Sequence, residues 1–122
     1  MNAVELIARI EAWSHAVSRW TRPMLQSAEL RDHTLQLRRS SSGALMNYCA
    51  AATARSHADF TSKVGLALEE MDESWRWLRL LAVNVPPSAE MAALTEEARQ
   101  LAAILGASHR TARKRRKGED YC

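Results

Sequence analysis

Proline, glycine and cysteine are all scarce, with three Pro, four Gly and two Cys in 122 residues. So few chain-breaking residues do not supply the many turns of a β-sandwich or barrel, and they suit long helices joined by few links. Cys49 and Cys122 stand far apart and match neither a disulfide framework nor a Cys-x-x-Cys site, so Cys49 reads as a small buried or interface residue. No apolar run approaches the ~20 residues of a membrane span, and the first thirty residues hold no basic segment followed by an apolar one. No membrane partner is expected, and the chain is placed in the cytoplasm. Histidine is equally thin: His15, His33, His57 and His109 fall on or near four separate segments, without a second His or Cys at ligand spacing. They read as solvated or capping side chains, and no metal or other cofactor is implied. The Glu-x-x-His pairs that a di-iron bundle needs are missing from facing helices, and the hydroxyls stand in no recognisable nucleophile motif. An enzyme is therefore not expected.

What the chain does have is helical periodicity. Apolar residues make up 47% and charged residues 25%, an ordinary globular balance, and 122 residues suffice for one core without disulfides or metal. From about Asn2 to Thr21, Leu6, Ile10, Trp13, Val17 and Trp20 follow the 4-3-4-3 spacing of one helix face, with Asn2 and Glu5 placed as a capping box and Pro23 as the stop. A second stripe runs from about Ala28 to Ala54 through Leu30, Thr34, Leu37, Ser41, Leu45, Tyr48 and Ala52, with Ser27 as its expected N-cap. Its middle, Arg39-Ser40-Ser41-Ser42-Gly43-Ala44, has the propensity of a loop. The stripe nevertheless passes through it in phase, so helix is expected, with a close helix contact at the small residues and a flexible linker as the alternative. Ser56 and Asp59 open a third segment carrying Phe60, Val64, Ala67, Leu68, Met71, Trp75, Leu78, Leu81 and Ala82, wide enough to face two neighbours. Its other face places acids before bases, in keeping with the helix dipole. After Asn84-Val85-Pro86-Pro87, a fourth, Ala-rich segment runs from Ser88 to about Ala112 on Met91, Leu94, Ala98, Leu101 and Leu105. Four segments of similar length with short links predict an all-α, antiparallel up-down-up-down four-helix bundle over residues 1–112, followed by a basic, flexible tail, 113–122.

The formal charge of +3 is placed unevenly. Six of the 17 Lys and Arg and two of the 14 Asp and Glu lie in residues 109–122, leaving eleven bases against twelve acids elsewhere. Basicity thus belongs to the tail, where Arg110, Arg113, Lys114, Arg115, Arg116 and Lys117 form the strongest pointer to a polyanion, because such side chains neutralise phosphates and release counterions. A merely solubilising terminus is the plain alternative. Arg38, Arg39 and Arg55 are candidates for a second basic patch, or else partners of acids on the third helix. Trp75 and Trp77 are about 200° apart on a helix, so both cannot face one core. One is expected to point outward, into a subunit interface or flat beneath Arg side chains.

The order Leu37-Arg38-Arg39-Ser40-Ser41, Asn47-Tyr48, Ala54-Arg55-Ser56-His57-Ala58-Asp59-Phe60, Lys63, Gly65-Leu66-Ala67-Leu68-Glu69-Glu70, Asp72-Glu73-Ser74 and Trp77-Leu78-Arg79-Leu80-Leu81 resembles the bacterial four helix bundle protein family. Its first members were encoded in intervening sequences of 23S ribosomal RNA genes, and the accessory variability determinant of diversity-generating retroelements is a relative. The resemblance holds without a gap across the two central helices, and the outer helices match in pattern only. Leu45-Met46 departs from the Gly-Ala or Pro-Ser usual before the Asn, and Cys49-Ala50 stands where relatives carry a Glu. The resemblance implies a homo-oligomer, commonly a homopentamer, which binds RNA, DNA or a reverse transcriptase and has no enzymatic activity. Two functions follow as expectations: a homo-oligomeric nucleic-acid binder presenting Arg38, Arg39, Arg55 and the tail, or a protein–protein scaffold in which the tail is incidental.

Overall fold

Three of the four α-helices start where a side chain satisfies one of their free N–H groups. In a computed structural model that describes residues 1–120, with side chains as far as Arg115, α1 spans Ala3–Thr21 behind the expected capping box. Asn2 Oδ1 accepts the Glu5 N–H at 2.8 Å and the Asn2 N–H donates to Glu5 Oε2 at 3.3 Å. Pro23 lies in a 3-10 stretch, Arg22–Gln26, that turns the chain. Helix α2, Arg31–Ala52, begins three residues later than expected. Ser27 Oγ accepts the Leu30 N–H at 3.2 Å, so this serine closes a preceding turn and is not the N-cap. Helix α3, His57–Ala82, is capped by Ser56, whose Oγ accepts the Asp59 N–H at 3.0 Å. Helix α4 starts at Ala89 and continues to Asp120, past the end expected near Ala112. The reason is local: no Pro or Gly intervenes after Gly106 until Gly118, and Arg and Lys are good helix formers that suit the negative end of a helix dipole.

The four-residue link Thr53–Ser56 reaches at most about 14 Å, much less than the ~33 Å length of α2, so α3 must run back antiparallel to it. The six-residue link 83–88 acts likewise, and between α1 and α2 the 3-10 stretch Arg22–Gln26 turns the chain back, giving the up-down-up-down bundle. Helix α3 packs most extensively, against α2 and α4, while α1 closes the bundle between them. The core consists of the predicted stripes with small phase corrections. Thr21 replaces Trp20 as the buried end of the α1 stripe, and Ala44 and Ala51 replace Leu45 and Ala52 in α2.

The run of small residues is helix, not linker. The Ser40, Ser41 and Ser42 hydroxyls bond back to the carbonyls of Leu37, Arg38 and Arg38, which removes their reason to break the helix. Ser40 Oγ also meets Ser74 Oγ of α3 at 2.7 Å, both buried, and Ala44 is fully enclosed. Beside them Gly43 lets the Glu70 side chain lie against α2: a Cβ there would sit 3.0 Å from Glu70 Cδ and Oε2.

Candidate nucleic-acid interface

The basic residues singled out in the sequence do not share one surface. Arg38 is half-buried, and its Nη1 donates to Ser18 O at 2.9 Å and to Thr21 Oγ1 at 3.1 Å. It therefore serves the last turn of α1, supplying a cation and a donor to carbonyls that lack helical partners. Neither Arg38 nor Arg39 pairs with an acid of α3 among the ion pairs of the described residues. Arg39 is exposed on α2, about 20 Å along the axis from that helix's C-terminus. Arg55 is exposed in the link before α3, at the opposite end of the bundle from Arg38. Arg110, Arg113, Lys114 and Arg115 are exposed on the last turns of α4, at the same end as Arg55. Arg116 and Lys117 lie outside the residues whose side chains are described. The basic end of the molecule is therefore Arg55 together with the end of α4.

His57 fixes how the two helices meet there. Its Nε2 lies 2.8 Å from the Ala112 carbonyl oxygen, which can only accept, so this nitrogen carries a proton and donates. Nδ1 is left as the ring's remaining polar atom. The Phe60 ring lies nearly parallel to the His57 ring, with centroids 6.4 Å apart and planes 30° from each other. Facing them, Ala107, Ser108, Thr111, Ala112 and Arg115 complete a groove of about 450 Å³.

The groove exists because α1 is short. Arg9 of α1 pairs with Glu97 at 2.6 Å and donates to Gln100 Oε1 at 2.8 Å, and Trp13 Nε1 donates to the Leu94 carbonyl at 3.0 Å. In an antiparallel pair this register puts Ala3, the start of α1, level with about residue 103. Ala107 and Thr111 stand one heptad beyond Gln100 and two beyond Glu97, so they continue the face that α4 turns to α1, above the point where α1 begins.

Trp75 and Trp77 flank α3 on opposite sides and both are half-buried, so neither alone is the outward one. Trp75 lies under Arg79, whose guanidinium carbon is 4.7 Å from the ring centroid. Trp77 packs against His33 of α2 with centroids 5.5 Å apart, and its Nε1 donates to Glu73 Oε1 at 3.2 Å. Three of the four histidines thus have inter-helix roles, since His109 rests over Gly65, where a Cβ would be 3.0 Å from His109 Nε2. His15 lies 3.8 Å from Glu11 on the surface. Cys49 is half-buried on α2, and Cys122 lies outside the described residues. Among the described residues no three His, Cys, Asp or Glu side chains converge as metal ligands, and no helix is long and apolar enough to cross a membrane.

The fold and its basic end define a small all-helical protein with a four-helix core. No family model matches the chain, and no curated protein matches it. Its fold is similar to the crystal structure of a protein of unknown function, described as from the S23 ribosomal protein family, of Bacteroides thetaiotaomicron VPI-5482. The TM-score is 0.80 at 20% identity, over 90% of this chain and 99% of that one. At that identity the likeness establishes the four-helix bundle and nothing finer.

Proposed function

We propose that this protein is a non-enzymatic, cytoplasmic homo-oligomer of the bacterial four helix bundle family that binds RNA or DNA through the basic end of its bundle. The observation that carries this reading is the gathering of exposed Arg55, Arg110, Arg113, Lys114 and Arg115 at one end, none of them in the ion pairs found among the described residues. Exposed cations in water attract phosphate by counterion release, which needs no base contacts. Arg39 is a peripheral contributor, and Arg38, engaged with α1, is not one. The family resemblance along Leu37–Leu81 supports a ring, commonly of five copies, in which several basic ends act on one polyanion and their weak contacts add through effective concentration. Exposed Leu66 and Leu80, with half-buried Trp77 between them on one flank of α3, offer the apolar surface where copies meet, and Trp75 supplies the opposite flank. The same apolar flank favours the second reading, a scaffold for a protein partner such as a reverse transcriptase.

The test compares the full chain with a chain ending at Ala112, on one RNA and one duplex DNA, between about 50 and 200 mM salt. Ala112 is the last buried residue described, so the truncation is expected to leave fold and oligomer intact. It should weaken binding and flatten its salt dependence, each lost phosphate contact reducing the logarithmic slope by about 0.7–0.9. Equal affinity and slope would move the site away from the end of α4. No binding by either chain would leave the scaffold.

A further inference from the structure

We infer that the groove between the start of α3 and the end of α4 receives one unpaired nucleobase, which makes the protein a binder of single-stranded in preference to duplex nucleic acid. The inference rests on the nucleic-acid reading above and names what that site selects. Its volume of about 450 Å³ falls within the range of sites that hold small planar ligands. One wall is aromatic: Phe60, half-buried, with His57 nearly parallel to it. Every base offers a π-face to such a wall, and stacking of this kind is the usual means of holding single strands without a fixed sequence. The opposite wall carries the Ser108 and Thr111 hydroxyls, neither of which makes a side-chain hydrogen bond among the described residues, so both are available to a base. The small, exposed Ala107 leaves width between the walls, which meet where His57 Nε2 donates to the Ala112 carbonyl.

Charge sets the orientation. Arg115 lines one mouth of the groove, and exposed Arg55 precedes the Ser56 cap on the α3 side. A base between the walls would have its backbone phosphates at these two guanidinium groups. A duplex keeps its bases stacked and paired, so it reaches the same cations with its phosphates but cannot fill the groove without paying for unpairing.

The experiment measures binding of the full chain to a single-stranded RNA or DNA oligonucleotide and to the duplex of the same length, at one salt concentration. Two variants accompany it. Phe60→Leu retains apolar bulk but removes the ring, and Ala107→Leu narrows the groove from an exposed helical position. The wild-type protein should hold the single strand roughly tenfold more tightly than the duplex, the order expected for one stacked base. Both variants should lose that preference while keeping the duplex affinity. In parallel, adenosine monophosphate should shift the ring resonances of Phe60 and His57. Equal affinity for single strand and duplex, or a preference that survives both variants, would overturn the base groove while leaving phosphate binding in place. Failure to bind either strand form removes the nucleic-acid reading and the groove with it, and adenosine monophosphate that leaves the two rings unmoved also overturns the groove.

Discussion

Ala44→Leu and Gly43→Ala, one position apart on α2, should have opposite consequences. The Ala44 side chain has 0% exposure in the core. Leucine adds three carbon atoms at a point where the Ser40–Ser74 contact, 2.7 Å long, already holds α2 tightly against α3. Were there room, three further buried carbons would contribute roughly 2 kcal/mol at about 0.8 kcal/mol each. Without room they force side chains off their rotamers or the helices apart, a cost of about 1–3 kcal/mol. At Gly43 the added methyl meets only the end of a flexible, half-exposed Glu70, 3.0 Å away, which can turn toward water. Alanine there gains up to about 1 kcal/mol of helix propensity over glycine. Ala44→Leu should therefore lower the melting temperature by several degrees, at about 3–5 °C per kcal/mol for a chain of this size, while Gly43→Ala leaves it level or raises it slightly. Thermal and urea melts at a fixed protomer concentration measure both. A neutral Ala44→Leu would show that α2 and α3 are not in close contact there, and a strongly destabilising Gly43→Ala would show that Glu70 is held where it lies.

Glu70 is itself expected to oppose stability at neutral pH. Burial against α2 raises its carboxyl above the usual 4.5, helped by repulsion from Glu73 and Glu69. The folded state thus holds this proton more tightly than the unfolded chain, so the contribution is complete below 4.5 and is lost as pH rises through the raised value. Glu70→Gln should melt higher than wild type at pH 7, with the difference closing as pH falls below about 4.5; a difference independent of pH would locate the effect elsewhere. Arg38→Met removes the bonds to Ser18 O and Thr21 Oγ1 and should cost about 1–2 kcal/mol. It should leave nucleic-acid affinity and its salt slope unchanged, and a flattened slope would return Arg38 to the phosphate-binding set.

The parts of this structure that the sequence discloses are those set within a few residues of one another. The Asn2–Glu5 box and the Ser56 cap need only a spacing of three, and the core stripes need only the helical period. The start of α2 departs from the sequence pattern for the same local reason: Ser27 has the chemistry of a cap but uses it on a turn. What stays hidden depends on register between distant segments. Arg9 and Glu97 are 88 positions apart, and Trp13 and Leu94 are 81 apart. Nothing in either neighbourhood announces a partner. Arg38 and Arg39 are indistinguishable in sequence, yet one closes α1 and the other faces water. Only the crossing of α1 and α2 separates them. The groove is hidden likewise, since His57 and Ala112 meet only through the antiparallel turn of the chain.

The location of the proposed site follows from unequal helix lengths. Helix α1 has 19 residues and α4 has 32, a difference of about 20 Å at 1.5 Å per residue. At one end Pro23 turns the chain soon after Thr21, and α1 starts at the Asn2 cap, level with about residue 103 of α4. A helix that loses its neighbour exposes a face to water, and the composition of that face has to change. On the side of α4 turned to α1 it does: Leu101 and Ile104 give way to Ala107, Ser108, Thr111 and Arg115. Small and hydroxylated residues leave space where α1 would have continued, Phe60 of α3 closes the inner side, and the cations follow within the next turn. A longer α1 would bury this wall and demand leucines along it. The change from apolar to hydroxylated to basic residues along one face of α4 is therefore the physical signature of a bundle that ends on three helices, and it places an aromatic wall beside the charges a nucleic-acid backbone requires.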